Sequence, residues 1–336
     1  MKVSKFFAVF VAAVLVAAVF AGCSGGDDAQ TRPTAPPTGE SSTSATPAEG
    51  SQSPTPAPSA TPGSIRAQRA GGMTHGSLTF GGVDRSFRVF IPFGLRENAK
   101  VSLVVALHGG LGSGDQFALT SRFEPLAQDQ GFVVVFPDGI GATWNAGGCC
   151  GQASRTNVDD VGFLVALIDL IKREAPIDAG RVFMTGHSNG AMMSFRFGCE
   201  RPELVKAIAP VAGSLEIPEC KAGTPTNMLA IHGDADQNHP IDGGHGPKSI
   251  AGVEFTSMEK TLALWTTAMG CGEARKSTDG PLTETIWQGC KNGAIARYIV
   301  IAGADHPWPG GLPSILGNAT EDLDATKTVW AFFKGL

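Results

Sequence analysis

The sequence predicts an α/β domain built on a doubly wound, mostly parallel sheet. Two runs, Val101–Leu107 and Phe132–Phe136, are apolar almost throughout, as strands buried on both faces of a parallel sheet must be. Strand-like and helix-like stretches alternate from there to the C-terminus. The residues that could do chemistry fall just after the predicted strands, where open α/β sheets place their sites.

Bulk properties set the frame. The chain has 336 residues, of which 42% are hydrophobic, with 26 Lys and Arg against 31 Asp and Glu. No basic block or stripe appears, which argues against nucleic acid as a partner. No internal repeat is visible, and a single α/β domain of roughly 260 residues is an ordinary size.

Residues 1–23 read as an export segment. Lys2 and Lys5 precede an unbroken apolar run from Phe6 to Ala21, followed by Gly22 and Cys23. The run is short for a spanning helix and ends in small residues, as a signal peptide does. Phe20-Ala-Gly-Cys23 resembles a bacterial lipobox, with Phe20 where that pattern usually has Leu. Cys23 is therefore the expected lipidation site, which would make the membrane a partner and place the protein outside the cytoplasm. Cleavage near Ala21 to give a free secreted protein, or an uncleaved anchor, is the alternative. Residues 24–72 are rich in Ser, Thr, Pro and Ala and almost free of large apolar side chains. Such a segment buries too little to offset its ordering entropy, so it is expected to be a disordered tether leading to a domain over 73–336.

Within that domain the elements follow in order. Leu78–Phe80 and Phe87–Ile91 flank Gly81-Gly82 and predict an opening hairpin. After Val101–Leu107 come a helix-like run over Asp115–Asp129 and the strand Phe132–Phe136. Val158-Asp-Asp160 can cap a helix running to about Arg173. The strand Arg181–Thr185, a helix over 190–198, and strands at Lys206–Val211 and Asn227–Ile231 come next. A helix near Phe255–Met269, a strand at Ala296–Ile301 and a helix at Glu321–Lys334 complete the pattern.

Between the strand Arg181–Thr185 and its helix lies Gly186-His-Ser-Asn-Gly190, a G-x-S-x-G pentapeptide. In a nucleophile elbow the serine is strained and exposed where strand becomes helix, and its neighbours two positions away must be small. Alone the motif is common in turns; here strand and helix flank it. Ser188 would need an imidazole to take its proton and a carboxylate to fix that imidazole's tautomer. His306 follows the strand ending at Ile301. Asp234 and Asp236 follow the strand ending at Ile231, in His232-Gly-Asp-Ala-Asp236. Asp236 is favoured as the acid and Asp234 as a loop hydrogen-bonding group. His232 reads as a packed turn residue, and His239 and His245 as solvated loop residues or parts of a cleft rim. The oxyanion amides should be Asn189 N–H and Gly110 N–H, with Leu111 second.

The motifs Leu107–Gly110, Trp144–Gly151, Val158–Phe163, Gly186–Ala191, His232–Asp236 and His306–Gly310, in this order, resemble the esterase/polyhydroxybutyrate depolymerase family. That family includes feruloyl and acetylxylan esterases, and the closest likeness is to its actinobacterial lipoproteins. The resemblance covers essentially all of 73–336. It implies an α/β-hydrolase fold and a serine carboxylic-ester hydrolase with Ser188, Asp236 and His306 as its triad, acting on an ester substrate that can be polymeric. It also puts Asn145–Gly151 near the cleft. Trp144, His187 and Trp308 are the expected substrate contacts, Trp308 as an aromatic or sugar wall or else a structural plug. An N-cap role accounts for Asp159 and Asp160 without catalysis.

Setting Cys23 aside, six of the seven cysteines remain, an even number that suits an exported, oxidised protein. Six cysteines allow fifteen connectivities. Local proximity favours Cys199–Cys220 and Cys271–Cys290, which leaves Cys149 and Cys150 for a vicinal bridge. None adjoins Ser188 or His306, so the disulfide-linked catalytic pair of tannase-like relatives is absent. No spacing of His, Cys, Asp and Glu indicates a metal, and no cofactor is expected. Residues 212–226, between two predicted strands, are too few for a lid domain. Rival functions on such a scaffold are acyl transfer, peptide hydrolysis and non-catalytic carbohydrate binding.

Overall fold

The computed structural model describes residues 71–336 except 97, 221–225 and 315. The expected export segment with Cys23, and the tether up to residue 70, lie outside the described residues. The expected opening hairpin is longer than its apolar cores: β1 (Gly72–Phe80) pairs antiparallel with β2 (Val83–Ile91) in one register. Gly81 and Gly82 turn the chain at φ 59° and 78°, which L side chains rarely adopt.

The central strands are β3 (Val101–Leu107), β4 (Val133–Pro137), β5 (Ile177–His187), β6 (Ala207–Val211), β7 (Asn227–Gly233) and β10 (Ala296–Ile301). They are parallel to one another in the order β4-β3-β5-β6-β7-β10. Antiparallel strands extend both edges: β2 and β1 beyond β4, and β9 (Leu282–Trp287) and β8 (Ala274–Asp279) beyond β10. Along β3 the side chains split by alternation. Leu103, Val105 and Leu107 enter one core, and Val104 and Ala106 the other. The first core is closed by α4 (Asp160–Glu174), α5 (Asn189–Glu200) and α6 (Met258–Ala268). The second is closed by α1 (Gly114–Ser121), α2 (Phe123–Gln130) and α7 (Ala325–Lys334). Each fully buried Leu, Val or Phe in these layers stabilises the fold by about 1.5–3 kcal/mol. The sheet is thus a rigid support whose strand ends carry the site.

Several expected elements differ. The single helix expected over Asp115–Asp129 is two, because Arg122 adopts φ 59° between them. The last helix starts at Ala325 rather than Glu321, since Asp324 is its cap and accepts from Lys327 N–H. The short α3 (Gly151–Arg155) and the hairpin of β8 and β9 were not expected. Every residue of β8 is exposed and polar apart from Ala274, so no buried face marks its sequence. The six cysteines form three disulfides, Cys149–Cys150, Cys199–Cys220 and Cys271–Cys290.

Candidate active site

The elbow forms because two glycines let three backbones meet. Ser188 sits at φ 55° and ψ −120° between β5 and α5, and its N–H donates to Val211 O at 2.9 Å. A Cβ on Gly186 would lie 2.4 Å from Gly190 O, and one on Gly190 would lie 2.4 Å from Leu107 O. Only hydrogen fits at either position, so the strained serine is held by its surroundings.

His306 and Asp236 meet behind it. His306 Nδ1 lies 2.6 Å from Asp236 Oδ2, and both side chains are buried. Asp236 Oδ1 accepts from Asn238 N–H at 2.9 Å and His239 N–H at 2.8 Å. Burial alone would raise the acid's pKa, but hydrogen bonds from His232 and His306 outweigh it and hold Asp236 well below the ordinary carboxylate range. Asp234 points elsewhere: it accepts from Gly303 N–H at 2.6 Å and is exposed. Geometry therefore joins Asp236, and not Asp234, to His306. An ionised carboxylate can only accept, so Nδ1 carries the hydrogen and Nε2 is left as the basic nitrogen.

His187 fixes His306 from the other side. Its Nε2 is 2.7 Å from the His306 carbonyl, which only accepts, so Nε2–H donates. Burial, together with the charge of nearby His306, lowers the His187 pKa to about 3, which keeps the ring neutral.

The loop after β3 is set by His108. Its Nε2 accepts from Gly139 N–H at 3.0 Å, which makes Nδ1–H the donor to Gly109 O at 2.7 Å. Gly109 then lies against His187 and Ser188, and Gly110 against Asn189. Leu111 N–H donates to Ala142 O at 2.8 Å, which removes it as an oxyanion donor and leaves Gly110 from that loop. Asn189 opens α5, so its N–H has no acceptor in the helix. Its side chain is clamped twice by Trp144: Trp144 N–H donates to Oδ1 at 2.7 Å and Nδ2 donates to Trp144 O at 3.0 Å.

Trp144 itself corrects an expectation. It is fully buried, its Nε1–H donates to His108 O at 3.0 Å, and it does not line the cavity above Ser188. It braces two loops from inside the fold. Trp308 is also mostly packing: its ring sits against Phe117 and Phe123, and Nε1–H donates to Thr326 Oγ1 at 3.0 Å. One edge lines a small recess of about 70 Å³ beside Gly109 and Gly110. His187 borders both this recess and the main cavity.

The main cavity, about 200 Å³, is bordered by Ser188, His306, Asn189 and Gly110, with Met192 and Phe255 on its apolar side. Cys150 and Gly151 also line it, as expected for that motif. Of the two places expected for His239, a solvated loop or the cleft rim, the structure gives the second: it lines the cavity and is 1% exposed. Its Nε2 is 2.8 Å from Ser214 Oγ, which lies 2.5 Å from Glu216 Oε1. A carboxylate takes the hydroxyl hydrogen, so Nε2–H donates to Ser214 and the ring is anchored as a wall of the cavity. The sequence offered no period in 237–257 to reveal this wall. Asp159 caps α4 as expected, through Gly162 N–H at 2.8 Å. Asp160 does not: it is buried, pairs with Arg85 Nη2 at 2.7 Å and accepts from Asn145 N–H at 2.7 Å. That pair ties β2 to the Trp144–Asn189 clamp.

A family profile described as alpha/beta hydrolase fold matches residues 102–238. The chain has the alpha/beta-hydrolase fold. An acetyl xylan esterase from Aspergillus awamori superposes with a TM-score of 0.56 at 17% identity, over 78% of this chain and 100% of that one, a likeness of fold. Among curated relatives, feruloyl esterase B of Piromyces equi is 30% identical over 234 residues, 66% of this chain. The chain spans only 42% of that relative's length. Feruloyl esterase D of Neurospora crassa is 27% identical over 75% of this chain and 82% of its own. The chain therefore has esterases among its relatives.

Proposed function

We propose that this alpha/beta hydrolase is an extracytoplasmic serine carboxylic-ester hydrolase working through an acyl-enzyme. The observation that carries this is the strained Ser188 sharing one cavity with His306, whose Nδ1 is bound to the buried Asp236. Ser188 Oγ attacks the ester carbonyl while His306 Nε2 takes its proton. Asp236 holds the tautomer and stabilises the imidazolium. The N–H groups of Asn189 and Gly110 receive the negative charge on the tetrahedral oxygen. His306 then returns the proton to the departing alcohol, and water, activated by the same nitrogen, releases the acid. No cofactor enters these steps.

Feruloyl or acetyl esters of polysaccharides and hydroxyalkanoate esters are the proposed substrates. The esterase relatives support the first group, and the sequence motifs support both. The cleft rim also favours a large partner, since Leu111, Ile250, Leu312 and Leu316 are all exposed beside it. Cys23 as a lipid anchor is part of the same proposal and is tested by detergent partitioning of Cys23→Ala. The function itself is tested with a panel of methyl ferulate, acetylated xylan, hydroxybutyrate oligomers and p-nitrophenyl acetate. Turnover of at least one that disappears in Ser188→Ala is the expected result; full activity in that variant overturns the proposal.

A further inference from the structure

The cavity over Ser188 holds one permanently charged side chain. Met192, Ile250, Ala251 and Phe255 make its apolar side, and no Asp or Glu lines it among the described residues. Arg155, at the end of α3, also lines it. Its side chain is exposed and makes no ion pair with any described residue. Two acids behind its walls are buried and already engaged, while the exposed Glu254 lies 3.7 Å from His245. Asp236 is held by His306 and two backbone amides, and Glu216 Oε1 by Ser214 and Thr256 N–H.

The backbone that carries Arg155 is fixed even though the side chain is free. Ala153 is buried and its N–H donates to Thr143 Oγ1 at 3.2 Å. Ser154 Oγ donates to Gly147 O at 3.0 Å, and the helix follows directly on the Cys149–Cys150 bridge. A guanidinium on a fixed base offers a planar fork of donors that never loses its charge, the geometry that a carboxylate matches with two parallel hydrogen bonds. The protein as a whole has a net charge of −5, so attraction of an anion must be local to this wall.

We infer that Arg155 selects substrates carrying a free carboxylate beside the scissile ester, in either the acyl or the alcohol part. Half-esters of dicarboxylic acids, acid-ended ester oligomers and esters of carboxylated alcohols have this chemistry. The inference deepens the ester-hydrolase proposal and rests on it. An ester with its carbonyl at Ser188 would share one cavity with Arg155 and with the apolar side chains that line it.

Two matched pairs of esters test it at low ionic strength. The acyl pair is the p-nitrophenyl monoester of glutaric acid against p-nitrophenyl valerate. The alcohol pair is 4-acetoxybenzoate against 4-methylphenyl acetate. In one pair, Arg155→Gln is expected to lower the anionic-to-neutral ratio of kcat/KM by about three- to tenfold, mainly through KM. Arg155→Lys should retain part of the ratio, Arg155→Glu should lower it further, and 1 M salt should compress it in the unaltered protein. Ratios that Arg155→Gln leaves unchanged in both pairs, with the neutral esters still cleaved, overturn the inference and leave the hydrolase proposal standing. No turnover of any of the four esters overturns both.

Discussion

Ser188 is strained at φ 55°, and a strained nucleophile is of use only if its partners are in place. His306 borders the same cavity as Ser188 and lies 2.6 Å from Asp236, and the residue-scale predictions follow from that arrangement. Asp236→Asn should leave the fold intact but lower kcat by about 10⁴-fold on a p-nitrophenyl ester, because an amide can stabilise the wrong His306 tautomer. Asp234→Asn should change kcat less than about threefold, since that side chain serves only a loop amide. Equal losses in the two variants would contradict the choice of acid. The choice was legible in the sequence, because H-G-x-x-D spacing and strand-end position both pointed to Asp236. Trp144 was misread for an equally physical reason. Its place in a cleft motif is visible in sequence, but Asn189 holds its backbone and His108 O its ring, and both are distant along the chain.

At the scale of elements, α4, α5 and β2 meet through Arg85 and Asp160. Their buried ion pair, at 2.7 Å, connects through Asn145 and Trp144 to Asn189. Asp160→Asn would leave the Arg85 guanidinium buried without its counter-charge, a loss of about 3–5 kcal/mol. Urea unfolding should show it as a lower midpoint, and the oxyanion clamp should loosen, lowering kcat as well. An unfolding free energy within about 0.5 kcal/mol of the parent protein would contradict the role given to the pair. The elements themselves were readable where one face is buried. β3, β4, β5, β6, β7 and β10 all appear as apolar runs, and alternation on β3 is what sends its side chains to two cores. The edge hairpin of β8 and β9 escaped because its residues face solvent, although Asp279-Gly280 between β-forming stretches was a usable turn signal. Nothing in Arg122 announces a left-handed conformation, but Pro125, in the first turn of α2, was a usable signal for the break between α1 and α2.

For the molecule as a whole, acid should be the weak side. Burial is the main cause that lowers the pKa of His108, His187 and His239 below the ordinary imidazole value, to about 3 for His187. In the unfolded chain these rings bind a proton near pH 6.5, so between that pH and their lowered values the unfolded state holds more protons. Stability should therefore rise with pH across this window and fall on acidification, by up to about 1.4 kcal/mol per pH unit for each histidine. Asp236 acts in the same direction at lower pH, since its depressed pKa stabilises the fold above the ordinary carboxylate range. Urea midpoints that stay constant from pH 7 to pH 5 would contradict the burial of these neutral rings. Only residues 212–226 separate β6 from β7 at the lid position, so the rate should rise smoothly with ester concentration. An abrupt rise when a long-chain ester forms droplets would show a mobile cover instead. The proposed chemistry passes through one covalent bond, from Ser188 Oγ to the acyl group. Incubation with a fluorophosphonate followed by peptide mass mapping should place a single adduct on Ser188, with none formed in Ser188→Ala; an unlabelled protein, or an adduct on another residue, would contradict it.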